Sequence, residues 1–284
     1  MSDQVQTGVG LLRPSSLTGW PDCGRRFAAR HLQDLVLSAG YDLRRDIRPH
    51  VGAAVGSAVH AAAAYTLEQK REHGDLGSAT EAENRAEAAL LERTADGTMW
   101  DEVTPSISTA KVQAARMARS YRRHIAPHVV PLLIEERLVA DVGDGWQLSG
   151  QADLLAGDPD RELRDLKSGR KRNNAVQYGG YGIVLSAHGL GPREIYEDFI
   201  PRVRTSVDQP PPETEVIPLR HAVAEAWDTI DAIKAAVSEF ERRAADPSGR
   251  DPAGAFRANP SSSLCGEKWC PAHGTSFCRI TRRS

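Results

Sequence analysis

The chain has 284 residues, 40% of them hydrophobic and 26% charged, with 36 Lys and Arg against 38 Asp and Glu and a formal net charge of −2. This is the composition of a globular protein long enough to bury a substantial core; it excludes disordered, collagen-like and disulfide-dense classes and any histone-like polycation. No apolar run approaches the ~18 residues of a membrane span, and MSDQVQTGVG has neither the basic start nor the apolar stretch of a signal peptide, so a cytoplasmic protein with no membrane partner is expected.

From the start, Ser15 or Ser16 caps a helical segment that carries Cys23 near its beginning and apolar residues at helical spacing from Phe27 to Leu37. Residues 52–72 are alanine-rich and helical by propensity, with Gly74 as the stop, and further helices are expected at 79–95 and 108–125. The pattern changes at Pro131. PLLIEERLVADV, WQLSGQADLLA and RELRDLKSG read as three strands of an antiparallel meander, divided by turns at Asp144-Gly145 and Asp158-Pro159-Asp160. A helix at 172–189, a strand at 193–203, a Pro-rich loop at 209–218 and a long amphipathic helix at 219–245 follow, ahead of a cysteine-rich tail. The expected division is a helical segment at 1–50, a core at 51–245 and a cysteine segment at 246–284.

Charge is unevenly distributed. Residues 108–125 carry Lys111, Arg116, Arg119, Arg122 and Arg123 with no acid, 161–172 hold six basic residues against two acids, and 75–102 hold eight acids against two arginines. Each block alone reads as a solvated helix face; two basic blocks flanking one site would instead make a groove that tracks phosphates.

Cys23 stands alone near the start, and Cys265, Cys270 and Cys278 lie together in LCGEKWCPAHGTSFC. In a reducing compartment such thiols are more often metal ligands than disulfides, and four thiolates suit a [4Fe-4S] cluster or a structural zinc ion, with His273 able to replace one of them on zinc. In the predicted strands, Asp165 and Lys167 share a face, two residues apart, and Asp153 on the neighbouring strand can approach Asp165. Two converging carboxylates bind a hard cation such as Mg²⁺ or Mn²⁺, and an adjacent ammonium steadies charge on a phosphate, so the set suits phosphodiester hydrolysis. Taken alone, an Asp-x-Lys pair is also an ordinary solvated pair. His60, on an otherwise Ala and Val helix, is either a packing residue or a further ligand; Gln177 and Tyr181, four apart, share one helix face; and Glu135 and Glu136 offer another carboxylate from opposite faces of their strand.

The order of GSAVH ending at His60, IEERL, GQADLL, DLKSG and QYGGY resembles the PD-(D/E)XK nuclease superfamily and, within it, the RecB-like branch. One cysteine before that core and three after it are similar to the layout of the iron–sulfur members, which include CRISPR-associated and phage-encoded exonucleases and the AddB nuclease domain. The resemblance implies an α/β fold with a restriction-endonuclease-like core, a central mixed sheet flanked by helices, and a [4Fe-4S] cluster on Cys23, Cys265, Cys270 and Cys278 joining the two chain ends. It makes His60, Asp153, Asp165 and the Leu166 carbonyl metal ligands and Lys167 the catalytic lysine. Glu135 or Glu136 becomes the upstream acid, and Gln177 and Tyr181 support the site or contact DNA. The Cys-x4-Cys-x7-Cys spacing departs from the family's and keeps zinc open.

The activity implied is that of a Mg²⁺- or Mn²⁺-dependent DNA exonuclease acting on single-stranded or frayed ends, in phage recombination or CRISPR adaptation. Arg170, Lys171, Arg172, Arg119 and Arg122 are the expected backbone contacts. The alternatives are a subunit that needs recombination or CRISPR-adaptation partners and a non-catalytic, metal-stabilised DNA-binding module; a homo-oligomer is compatible with each. A G-x-x-x-x-G-K-[ST] loop is absent from the sequence, which leaves no helicase motor to expect.

Overall fold

The structure, a computed structural model, describes residues 10–157, 160–169 and 171–279. In chain order the elements are β1 (Gly10–Leu12), α1 (Pro14–Leu17), α2 (Gly24–His31), α3 (Gln33–Ser38), α4 (Val51–His73), α5 (Ala79–Thr94), α6 (Ile107–His124), β2 (Pro131–Ile134), β3 (Arg137–Asp141), β4 (Trp146–Gln151), β5 (Leu154–Ala156), β6 (Glu162–Ser168), α7 (Ala175–Ala187), β7 (Glu194–Ile200), β8 (Glu213–Ile217) and α8 (Leu219–Ala244). Short 3₁₀ turns lie at Ala126–His128 and Pro252–Ala255.

A five-stranded mixed sheet of order β2-β5-β6-β7-β8 forms the centre, with β6 and β7 parallel and its other pairs antiparallel. One face is covered by α4 and α6, whose buried Val55, Val59, Met117 and Tyr121 meet Ile134, Leu154, Leu166 and Ile200 of the sheet. The other is covered by α7, through Tyr178, Tyr181 and Leu185 against Leu155, Leu163 and Ile195. Full burial of each such Val or Leu contributes roughly 1.5–3 kcal/mol, enough in sum to fix α4 on the sheet. A smaller sheet, of order β1-β4-β3, carries β1 parallel to β4.

The long helices α4, α5, α6 and α8 start and stop within a residue of where the sequence expects, whereas Ser15 and Ser16, expected as caps, lie inside the four-residue α1, whose N-cap is Arg13, and α7 begins only at Ala175. The His50 ring accepts from the Gly52 N–H at the head of α4, Ser78 and Ser106 cap α5 and α6 through the Glu81 and Thr109 N–H groups, and Gly74 ends α4 at φ +79°. Two adjoining glycines of α7 are needed for close approach: a side chain at Gly179 would collide with the Ala222 carbonyl of α8, and one at Gly180 with Pro14 of α1.

Several expectations are corrected. The single helix over Phe27–Leu37 breaks at Leu32, where φ −128° and ψ 40° divide α2 from α3. PLLIEERLVADV forms two strands in two different sheets, because Glu135 adopts φ +49° and turns the chain out of β2 before β3 begins. Glu135 and Glu136 therefore do not alternate along one strand. GQADLL likewise leaves β4 at Gln151 and enters β5 at Leu154, so the meander gives way to two sheets that exchange strands at Glu135 and Asp153. The Asp144-Gly145 turn is present, with positive φ at both; the 158–160 turn has residues 158 and 159 outside the described residues. The Pro-rich loop ends in a strand, β8, which tolerates its three preceding prolines because it is the edge of the sheet.

The acidic and basic blocks prove to be partners. Glu87 and Glu83 of α5 pair with Lys111 and Arg119 of α6 at 2.7 and 2.9 Å. Among the described residues no helix is long and apolar enough to cross a membrane.

Candidate active site and cysteine pocket

The two points where the chain changes sheets deliver carboxylates to the same place. Glu135, held in its left-handed conformation by an N–H bond to the Asp153 carbonyl, puts Oε1 3.6 Å from His60 Nδ1, while Asp153 Oδ1 lies 3.2 Å from the same nitrogen. A non-glycine residue at positive φ is uncommon, and its occurrence at a convergence of titratable groups marks local strain that the site retains. Gln151 donates to Glu135 Oε2 at 2.9 Å, and the Leu166 N–H donates to Asp153 Oδ2 at 2.7 Å, so both acids are aimed by neighbouring groups. The ligand atoms of His60, Glu135 and Asp153 lie within 4.8 Å of one another, the one such group of three among the described residues.

Asp165, only 1% exposed, and Lys167 project from β6 toward α7, with Lys167 Nζ 2.6 Å from Asp165 Oδ2. Gln177 donates to Asp165 Oδ1 at 3.4 Å and to the Tyr181 hydroxyl at 3.2 Å, so the two helical residues back the strand. Exposed Glu136 turns away from His60, and the structure thereby chooses Glu135 as the acid that joins the cluster.

Electrostatics show what the cluster lacks. Burial would lower His60, but Asp153 and Glu135 outweigh it and hold the imidazole well above its ordinary value. Burial and the charge of Asp153 push Asp165 up to about 7. Asp153 resists its own burial because His60, Lys167 and the Leu166 N–H favour the anion, and its pKa is lowered. Lys167 is partly buried, which would lower it, yet Asp165, Asp153 and Glu197 raise it, so the ammonium stays charged at neutral pH. The cluster thus clings to protons at positions where a cation would serve. Apart from the Lys167 ammonium, Asp165 Oδ2 is buried with no hydrogen-bond donor. Oxygen donors joined by one imidazole fit Mg²⁺ or, with its greater tolerance of nitrogen, Mn²⁺.

The four cysteines come together as well. Cys23, at the N-cap of α2, lines one small cavity with Cys265, Cys270, Cys278 and His273, beside Arg25 and Arg26. Burial raises the Cys270 thiol and the nearby Cys23 and Cys278 raise it further, while His273 Nδ1 is buried without a partner. Four thiols and an imidazole around one cavity are donors of the kind that hold a soft metal centre. Around it the N-terminal and cysteine-bearing segments are already joined: Arg25 donates to the carbonyls of Ala253, Phe256 and Phe277, Arg26 donates to the Ser262 hydroxyl at 3.1 Å, and Phe27, Phe240, Phe256 and Phe277 share one core.

The expected DNA contacts are divided. Arg170 lies outside the described residues. Lys171 and Arg172 are exposed just beyond β6, Lys171 pairing with Glu213 at 2.7 Å. Arg119 is engaged with Glu83, and Arg122 donates to the Leu76 and Gly77 carbonyls, so both brace α6 against α5 and its preceding turn. Sequence reasoning missed Glu197 and Tyr178, both buried beside Lys167. For Glu197 there was a partial signal, since IYEDFI sets two acids in the middle of an apolar strand, where charge is retained only with partners, although the sequence does not say which.

A helix-flanked mixed sheet with converging acids and a lysine on its central strand is consistent with a restriction-endonuclease-like α/β fold. The family model of the PD-(D/E)XK nuclease superfamily matches residues 12–279, and the chain belongs to that superfamily. A candidate exonuclease from Eubacterium rectale has a similar solved fold, at TM-score 0.53 and 11% identity over 93% of this chain and 91% of that one. An alkaline exonuclease from Laribacter hongkongensis aligns over 69% of this chain and 97% of its own at 14% identity, with a TM-score of 0.30 that adds nothing on the fold. No curated protein sequence is significantly similar.

Proposed function

We propose that the protein is a RecB-like, Mg²⁺- or Mn²⁺-dependent DNA exonuclease that hydrolyses single-stranded or frayed ends. The observation that carries this reading is the convergence of His60, Glu135 and Asp153 beside Asp165 and Lys167, with Gln177 and Tyr181 behind them. His60, Glu135, Asp153, Asp165 and the Leu166 carbonyl would hold the cation, which when bound supplies an activated water and neutralises the scissile phosphate. Lys167 holds a full positive charge in a buried cleft, where it steadies the negative charge that builds on the phosphate and orients the attacking water. Gln177 keeps Asp165 from rotating, and Glu135 is aimed by Gln151. Lys171 and Arg172, exposed where β6 ends, are suited to the substrate backbone.

The cysteine pocket belongs to the same reading: Cys23, Cys265, Cys270 and Cys278, which line one cavity, would hold a [4Fe-4S] cluster, with a structural zinc ion as the alternative. A second reading, a subunit dependent on recombination or CRISPR-adaptation partners, is favoured by Arg119 and Arg122 being tied to α5 and its preceding turn rather than left for DNA.

The test is cleavage of 5′- and 3′-labelled single-stranded DNA by anaerobically purified protein, with Mn²⁺ or with chelator, beside Lys167→Ala. Progressive shortening that needs both metal and Lys167 is expected and gives the polarity. No cleavage by protein with four cysteines ligated and iron bound would leave the partner-dependent reading; a colourless protein with one zinc per chain would overturn the cluster.

A further inference from the structure

The turn between Cys265 and Cys270 carries a residue to which neither the cleft nor the pocket gives a task. Trp269 has a fixed backbone, its N–H donating to the Gly266 carbonyl at 3.0 Å and its carbonyl accepting from Arg30 at 2.6 Å. The half-buried indole is outside the lining of the cysteine cavity and meets His50 instead, with ring centres 5.6 Å apart and planes inclined by 47°. Exposed Lys268 covers the indole, its Nζ 4.9 Å from the ring centroid. Burial lowers the His50 imidazole, Asp101 opposes this, and the charges of Arg202, Lys268 and Arg172 lower it further, which places three cations around a ring uncharged at neutral pH. Asp101 is already matched by Arg202 at 2.6 Å, and Glu267 leans toward Arg44 at 3.9 Å. Lys268 and Arg172, both exposed, have no salt-bridge partner among the described residues.

This corner is continuous with the cleft. His50 caps α4, and His60 follows on the same helix, about 15 Å further along the axis. Gly52, Gly56 and His60, spaced by four, share one face of α4. The end of β6 and the residues after β7 border that face: Ser168 Oγ and Arg202 Nη2 lie 3.1 and 3.6 Å from where side chains at Gly56 and Gly52 would begin. Lys171 and Arg172 leave β6 at the same end. An aromatic ring beside unpaired cations suits a single strand, whose base faces are free, better than a duplex, whose base faces are stacked inside. We propose that Trp269 is a stacking platform for one base of a single-stranded DNA substrate, with Lys268 and Arg172 on the phosphates beside it, a role that rests on the nuclease reading above. A cation over an exposed ring is held more weakly than a stacked base. An arriving base therefore takes the indole face and releases the Lys268 ammonium to the neighbouring phosphate.

The experiment measures binding of oligo(dT) of about 12 nucleotides by fluorescence anisotropy in chelator, with a single abasic residue moved along the strand. In wild type one abasic position, about four nucleotides from the bound end at ~3.4 Å per nucleotide, should weaken binding roughly 10-fold. Trp269→Ala should lose a similar factor on the intact strand and nothing further from that abasic position, whereas Trp269→Phe should keep most of the affinity and the sensitivity. Lys268→Ala and Arg172→Ala should each lower the salt dependence of binding by about one ion. A 5-iododeoxyuridine at the sensitive position should photocrosslink to Trp269 in wild type, read by peptide mass spectrometry. Unchanged affinity for the intact strand in Trp269→Ala, or abasic losses that match wild type at every position, overturns the platform alone. A wild type that neither binds nor, with Mn²⁺, cuts single-stranded DNA overturns the nuclease reading beneath it. Should Trp269→Ala fail to fold, the wild-type crosslink decides: attachment at Trp269 supports the platform, and attachment elsewhere overturns it.

Discussion

The acidic cleft and the cysteine pocket each gather metal-ligating side chains from distant parts of the chain, but on unlike supports. In the cleft, Asp165 and Lys167 sit in the centre of a five-stranded sheet, His60 on a 23-residue helix and Asp153 on a backbone N–H of the neighbouring strand. In the pocket, Cys23 caps an eight-residue helix and its three companions lie on the turns of 265–278, outside any helix or sheet. Backbone hydrogen bonds and apolar packing hold the cleft in shape whatever fills it. The pocket depends on a few arginine and aromatic contacts, and on what the thiols bind. Removing the cation should therefore cost chemistry, whereas removing the cysteine-bound group should cost structure.

The largest effect expected is on chemistry. Lys167→Ala should reduce Mn²⁺-supported cleavage ~10³-fold, while the melting temperature stays within a few degrees of wild type. A melting temperature that collapses with activity would mean the lysine is needed to hold the sheet, and the contrast between the two regions would fail. Next comes the pocket. Cys23→Ser should release iron and weaken the fold by at least about 3 kcal/mol, seen as a fall of ~6–12 °C in a thermal melt. An unchanged melting curve after complete loss of iron would show that Arg25, Arg26 and the phenylalanine core suffice by themselves.

Those two regions were not equally readable from sequence. The cleft's residue types and order could be read because strand alternation puts Asp165 and Lys167 on one face whatever the rest of the fold does. The helices were readable because alanine-rich periodicity and serine caps act locally. The sheet exchanges at Glu135 and Asp153 were not, since a non-glycine residue at positive φ is imposed by tertiary contacts and has no propensity signature. For the same reason Glu135 and Glu136 could not be told apart: alternation assumes an unbroken strand. Glu197 was passed over because its meaning lies in parallel pairing with β6, a contact separated by a helix and invisible to a local pattern. The cysteines announced a shared site by count alone, but not which group fills it, because that depends on the spread of sulfur atoms in space.

The choice of Glu135 gives a smaller, sharper test of the cleft. Glu135→Gln should cut cleavage about 10- to 100-fold and weaken Mn²⁺ binding in calorimetry, whereas Glu136→Gln should leave both within twofold of wild type. Equal losses would mean that the chain does not keep the sharp turn at Glu135 in solution and that the two acids exchange places.

The smallest effect expected is on the stability of metal-free protein across pH, and its sign follows from the proton balance. Asp165 is held up to about 7, and His60 stands well above its ordinary value, so from pH ~5 upward through these raised values the folded chain binds more protons than the unfolded one. Stability from these groups is fully present below their unfolded pKa values of ~3.9 and ~6.5 and is lost as pH rises through the folded values. Asp153, whose pKa is lowered, acts in the opposite sense, but only in acid near and below pH ~4. In chelator, the denaturant midpoint should therefore fall as pH rises from ~5 into the alkaline range. Saturating Mn²⁺ should flatten that slope, because a cation then occupies the place of the protons that the cluster gives up. Asp165→Asn should remove the part between pH ~4 and ~7 and leave the His60 part intact. A midpoint in chelator that does not move with pH would mean the carboxylates are solvated rather than buried, and the contrast between a rigid cleft and a dependent pocket would lose its electrostatic half.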